Sequence, residues 1–151
     1  MKQKLFILFA MTIALISCNK KEEVENTQQE QTQEQTGSYV GVGVVDGDYR
    51  MEDLKIDFLK SDSIEGAYQL NMYQAQFAAN MPVKLDIIID GLKYENNTLT
   101  GNNIVPYAIM QGVRMPYQAY IVTNLKFTTA DNQLKGSLNF GLYEVTYEGK
   151  K

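Results

Sequence analysis

Residues 83–89 read VKLDIII. Val83, Leu85, Ile87 and Ile89 fall on one side of an extended chain, and Lys84 and Asp86 fall on the other. Successive strand side chains point to opposite faces, so this order predicts a strand with one dry and one wet face. Ile88 is the exception, an apolar residue on the wet side. The same period runs outward in both directions. Residues 51–60, MEDLKIDFLK, put Leu54, Ile56 and Phe58 on one face and Lys55 and Asp57 on the other, with Glu52 on the apolar face near the start. Ile64, Tyr68, Leu70 and Met72 share a face opposite Glu65, Gln69 and Asn71. Tyr117, Ala119, Ile121, Leu125 and Phe127 alternate with Gln118, Asn124 and Lys126, and Leu134, Leu138, Phe140 and Leu142 share a face in the last long segment.

Turn chemistry separates the segments. Asp46-Gly47, Asp90-Gly91, Asn96-Asn97, Gly101-Asn102-Asn103 and Ala130-Asp131-Asn132 tolerate positive φ, and Pro82 and Pro116 suit strand starts or edges. These breaks predict eight strands, at 39–45, 51–60, 64–75, 82–90, 92–100, 103–111, 117–128 and 133–147, with a short helical turn within 74–79. The reading is all-β. Eight one-sided antiparallel strands in a domain at 38–151 close into a small barrel, which removes exposed edges. Alternation alone does not separate that barrel from a two-sheet sandwich.

The chain ahead of this domain reads differently. Lys2 and Lys4 precede an apolar run, Leu5 to Ile16, that is too short to span a bilayer but matches the core of a signal peptide at 1–17. Leu15-Ile16-Ser17-Cys18 resembles the bacterial lipobox. Small Ser17 admits the peptidase, and the Cys18 thiol accepts the lipid. Cys18 is the only cysteine of the 151 residues. The expectation is covalent lipidation at Cys18 and, through it, attachment to the membrane; two or more acyl chains anchor stably where one does not. Residues 18–37 carry that cysteine and a polar tether, NKKEEVENTQQEQTQEQTG from 19 to 37, whose one apolar residue is Val24. Such composition predicts disorder, the rival being a solvated helix. A coil of this length spans about 25 Å. Lys21-Glu22-Glu23 resembles the export signal of Bacteroidetes surface lipoproteins, which implies an outer-membrane protein exposed at the cell surface. An ordinary charged tether leaves the periplasmic face open.

Composition excludes several chemistries. The chain has no His, which removes His-based triads and His metal ligands, and its single Cys leaves no disulfide or Cys-rich zinc site. A net charge of -4 and a pI near 4.8 oppose nucleic-acid binding. Without residues 1–17 the balance is 12 basic against 18 acidic groups (14 minus Lys2 and Lys4), which repels anionic headgroups. Asp86 and Asp90 could form a hydrolytic carboxylate pair, but both fall on a wet face or turn. Asp46-Gly47-Asp48 resembles a fragment of a Ca²⁺ loop without the rest of its ligands. No cofactor or metal is expected, and no catalysis.

The stretches MPVKLDIIIDGLKY, LTGNNIVPYAIMQGVRMPY, IVTNL at 121–125 and LKGSLNFGLYEVTYEG, with Gly37-Ser38-Tyr39-Val40-Gly41 at the start, resemble the calycin-like β-barrel domain of Bacteroidetes lipoproteins. The resemblance implies an eight-stranded, lipocalin-like barrel and brings no catalytic residues. All ten tyrosines follow Gly37. Their half-polar rings suit barrel packing or the walls of a ligand site for sugars, peptides or amphipathic small molecules. Tyr107, Met110, Met115 and Tyr117, with Met81 near them, are the candidates for a barrel-mouth binding site. The expected function is a binding or interaction module with a protein partner. The alternative is a lipocalin-like carrier holding a small apolar or amphipathic ligand inside the barrel.

Overall fold

The alternating segments pair edge to edge, each strand hiding its apolar row from water. The computed structural model describes residues 35–151, which form one compact unit. The expected signal peptide, Cys18 and the tether as far as residue 34 lie outside the described residues. Ten strands follow one another: β1 (Gly37–Val45), β2 (Tyr49–Lys60), β3 (Tyr68–Ala75), β4 (Leu85–Glu95), β5 (Thr98–Gly101), β6 (Tyr107–Met110), β7 (Val113–Pro116), β8 (Val122–Ala130), β9 (Gln133–Phe140) and β10 (Tyr143–Lys150). No helix occurs among the described residues.

Hydrogen bonding runs β3-β2-β1-β10-β9-β8-β5-β4, and β4 pairs back onto β3. This is a closed, antiparallel, eight-stranded barrel. It resolves the choice between barrel and sandwich, and it is compatible with a calycin-like fold. β6 and β7 are a hairpin added at one edge. β5 and β6 lie along the same edge of β4, with Lys93 opposite Thr100 and Asp86 opposite Ile109. β8 follows this line only as far as the bridge between Ile104 and Val122; beyond it, β7 takes the place beside β6.

Strand direction defines two ends. The proximal end carries the start of β1 at Gly37, the 61–67 loop and the turns at Asn96-Asn97 and Asp131-Asn132. The distal end carries the 46–48 turn, the 76–84 loop, the tip of the β6–β7 hairpin, the 117–121 segment and the Gly141-Leu142 turn. Between them the interior is packed with side chains. Tyr39, Ile56, Phe58, Leu70, Ile87, Ile89, Phe127 and Phe140 are wholly buried and belong to one continuous core. Ile87 is buried and Asp86 beside it only half so, as alternation requires. Ile88 is half-buried between Asn71 and Tyr107. At Gly136 a β-carbon would collide with the Lys126 carbonyl, so glycine permits the close approach of β8 and β9.

Several expectations from the sequence need correction. Asp90-Gly91 does not end a strand. Gly91, at φ 81°, forms a bulge inside a continuous β4, and the pairing register shifts opposite it, between Tyr68 and Gln69. The segment 133–147 is two strands, because Gly141 at φ 60° turns the chain and leaves Leu142 99% exposed. Its apolar alternation simply runs on through the turn. Gln111-Gly112, both at positive φ, closes a hairpin, so 103–111 is not one strand. β8 begins at Val122, which is buried, while Ile121 is exposed. A bulge at Asn124, φ 51°, then restores Leu125 and Phe127 to the interior. Ile64 and Val83 are exposed outside the strands, and 74–79 holds no helical turn.

Candidate functional site

Three distal segments bring aromatic rings together. The 76–84 loop supplies Phe77, and its shape is held by the Gln76 amide donating to the Met81 carbonyl at 2.9 Å and by Met81 N–H donating to Ala78 O at 3.0 Å. The β9–β10 hairpin supplies Phe140 and Tyr143, directly paired across its turn. The 117–120 segment supplies Tyr117 and Tyr120; Tyr117 N–H donates to Pro106 O at 2.8 Å and Tyr120 N–H to Tyr117 O at 3.2 Å. Gly141 is required here. A β-carbon on it would stand 2.8 Å from the Tyr120 ring, and its N–H donates to Ile121 O at 3.0 Å.

The rings form a nearly parallel stack. Phe77 and Phe140 lie 4.2 Å apart at 13°, and Tyr120 and Phe140 5.2 Å apart at 12°. Tyr143 lies at 19° to Phe77 and 13° to Tyr120. Tyr117 tilts against Tyr120 at 34°. They wall a cup of about 390 Å³ whose lip is Met81, Pro82 and Val83. No charged side chain lines it. Phe77 and Phe140 are buried floor, whereas Tyr117, Tyr120 and Tyr143 are half-buried. Their three hydroxyls have no hydrogen-bond partner among the described residues. Burial, then the neighbouring Tyr120 and Tyr143, raises the Tyr117 phenol above its usual range, so it stays protonated. Exposed apolar residues surround this end: Val83, Met110, Val113, Ile121 and Leu142.

Of the residues expected at the mouth, Tyr117 and Met81 line the cup. Tyr107 does not; it faces the outer wall, with the Arg114 guanidinium 4.1 Å over its ring. Met110 and Met115 are exposed on the β6–β7 hairpin and outside the cup lining. Lipidation at Cys18 lies outside the described residues. Phe77, Tyr120, Phe140 and Tyr143 complete the cup without having been singled out by the sequence. Their signal is spacing: Tyr117 and Tyr120, and Phe140 and Tyr143, are each three apart, a departure from period two that marks a turn returning the second ring to the first.

A polar network braces the β6–β7 hairpin to β4 and the 61–67 loop. Arg114 pairs with Asp90 at 3.2 Å and with Asp62 at 3.8 Å. Asp90 accepts from the Ser63 hydroxyl at 2.7 Å and from Gly91 N–H at 2.8 Å. Burial pushes the Asp90 carboxyl up, but hydrogen bonds from Ser61, Ser63, Gly91 and Arg114 outweigh it and hold the carboxyl below its ordinary value. Asp86 is engaged separately, accepting from Gln74 N–H at 2.8 Å. The two aspartates therefore have different partners and form no shared acid–base pair. Asp46 accepts from Glu144 N–H at 2.9 Å and serves its turn. Larger hollows of about 580 Å³ and 470 Å³ lie against charged outer surface, including Arg50 and Lys135 in the first and Arg50 and Lys84 in the second. No group of three or more Cys, Asp or Glu side chains suited to a metal occurs among the described residues.

No protein-family model, curated protein or solved structure matches this chain.

Proposed function

We propose that the protein is a lipid-anchored binding module that presents the distal aromatic cup to its ligand and performs no catalysis. The observation that carries this reading is the cup itself, a concave aromatic wall with three unpartnered tyrosine hydroxyls. Ligand sites have this composition, mostly apolar with a few polar groups that fix orientation. The packed interior, from Tyr39 to Tyr147, supports a site at the barrel's end over a carrier site within it. The lipobox at Cys18 supports anchoring to the outer membrane, and Lys21-Glu22-Glu23 supports display at the cell surface. The chain enters β1 at the proximal end, and the cup opens at the opposite end of the barrel from Gly37.

The test uses the full chain with ¹³C-methyl methionine. p-Cresol, a neutral ring with one hydroxyl, should shift the Met81 methyl resonance and leave that of buried Met72 in place. Tyr120→Ala should abolish the shift. An unchanged shift in that variant would remove the cup from the proposal. In cells, Cys18→Ser should end labelling by a palmitate analogue, and equal labelling of both forms would remove the anchor.

A further inference from the structure

We infer that the cup takes a neutral ring carrying several hydroxyl groups, the chemistry of a pyranose sugar. This rests on the reading of the cup as a binding site and names what enters it.

Four observations exclude other occupants in turn. The lining of Phe77, Ala78, Asn80, Met81, Pro82, Val83 and the four distal rings contains no charge. A charged ligand would give up its hydration with nothing to pair it. The hydroxyls of Tyr117, Tyr120 and Tyr143 are without partners among the described residues, and each can donate one hydrogen bond and accept others. A purely apolar occupant would cut these phenols off from water and leave them unsatisfied, the arrangement proteins avoid most consistently. An occupant with its own hydroxyls exchanges bonds with all three. Phe77, Phe140, Tyr120 and Tyr143 stack with neighbouring planes within 19° of one another, Tyr117 tilts against Tyr120 at 34°, and together these rings give an apolar surface on which the C–H groups of a saturated ring can rest. The volume of about 390 Å³ stands near the low end for ligand sites, about 300–1,000 Å³, which suits one or two rings. Asn80 at the lip adds an amide that can donate and accept.

The occupant that competes with this assignment is the aromatic side chain of a protein partner, for which p-cresol stands. The experiment titrates the full, ¹³C-methyl-methionine-labelled chain with the methyl pyranosides of glucose, galactose, mannose and N-acetylglucosamine, and with p-cresol. At least one glycoside should move the Met81 methyl resonance in a saturable way while Met72 stays fixed. Tyr117→Phe, Tyr120→Phe and Tyr143→Phe keep the rings and remove one hydroxyl each. Each should weaken that glycoside about threefold to tenfold, the scale of one neutral hydrogen bond, and leave p-cresol within about twofold. Thermal melts of the three variants confirm that the fold is intact. If p-cresol moves Met81 and no glycoside does, the sugar assignment falls and the cup stands. If neither does, both fall. Glycoside affinity unchanged in all three Phe variants also overturns the assignment.

Discussion

Each end of the barrel carries an aromatic cluster, and the two are built differently. At the proximal end Phe58, Tyr68 and Tyr94 meet at 43–61°, tilted or edge-on, with centroids 5.0–5.4 Å apart. The Tyr94 hydroxyl shares a 2.6 Å hydrogen bond with buried Thr129. Tilted rings interlock in three dimensions and the Tyr94 tip is bonded, although the Tyr68 hydroxyl has no hydrogen-bond partner among the described residues, and the interlocking makes this cluster a plug. At the distal end all the rings but Tyr117 are nearly parallel, a wall remains open, and the phenols are unpaired. The proximal turns are polar, apart from Ile64, while the distal ones carry exposed Val83, Ile121 and Leu142. The same residue types close one end and leave a hollow at the other, and ring geometry separates the two.

The sharpest test compares a residue from each cluster. Phe58→Ala empties a wholly buried position and should cost about 3–5 kcal/mol in denaturant unfolding. Tyr120→Ala, at a half-buried position, should cost under about 2 kcal/mol. Equal costs would make the distal cluster ordinary core. Next in size is Gly141→Ala. A left-handed backbone costs a non-glycine residue about 1–2 kcal/mol, and here the methyl also meets the Tyr120 ring. The near-ultraviolet circular dichroism of the tyrosines should change with it. Gly47→Ala, at φ 72° with open space around it, should show the backbone cost and an unchanged tyrosine signal. If the two variants give the same spectrum, Gly141 does not place the cup.

Removing single hydroxyls gives smaller, opposite results at the two ends. Tyr94→Phe strands the Thr129 hydroxyl and should cost about 1–2 kcal/mol, whereas Tyr143→Phe should stay within about 0.5 kcal/mol. A loss on Tyr143→Phe would mean its hydroxyl already serves the fold. The brace around Asp90 responds to acid. The folded Asp90 pKa lies below the ordinary 3.8, so its contribution is whole above that value and is lost as pH falls through the folded pKa. Asp90→Asn should therefore flatten the acid limb of the stability curve below pH 3.8, and an unaltered limb would dissociate the brace from folding. The smallest effect belongs to Leu142→Ser, which removes a fully exposed side chain. The melting temperature should hold, with the change in stability within about 0.5 kcal/mol. A marked fall would show that Leu142 is packed against something at the distal end.

Much of this barrel is legible in its letters. Leu54, Ile56, Phe58, Leu70, Met72, Leu85, Ile87, Leu138 and Phe140 all point inward as their alternation says, because a strand has only two faces and burial selects one. The errors gather where one residue breaks that count. Gly91 and Asn124 each take left-handed geometry inside a strand; at Gly91 the chain continues instead of turning, and at Asn124 the bulge changes which residues face inward. At Leu142 the apolar pattern passes unbroken through a turn, since a single exposed leucine costs the fold little.

The sequence by itself determined the class of the fold, the candidate anchor at Cys18, the polar composition of residues 19–37 and the exclusion of histidine chemistry, because these depend on local order and composition. Pairing of β1 with β10 joins residues as distant as Val40 and Lys150, which no local pattern encodes, so only the tertiary structure settled barrel against sandwich. It also decided which aromatics share a site. Tyr107 and Tyr117 look alike as strand tyrosines near a proline. One stacks under Arg114 on the outer wall, and the other stands in the cup. The cup is assembled from the 76–84 loop, the 117–120 segment and the β9–β10 hairpin, whose meeting depends on barrel closure, and no spacing within one segment encodes the distance between rings in three.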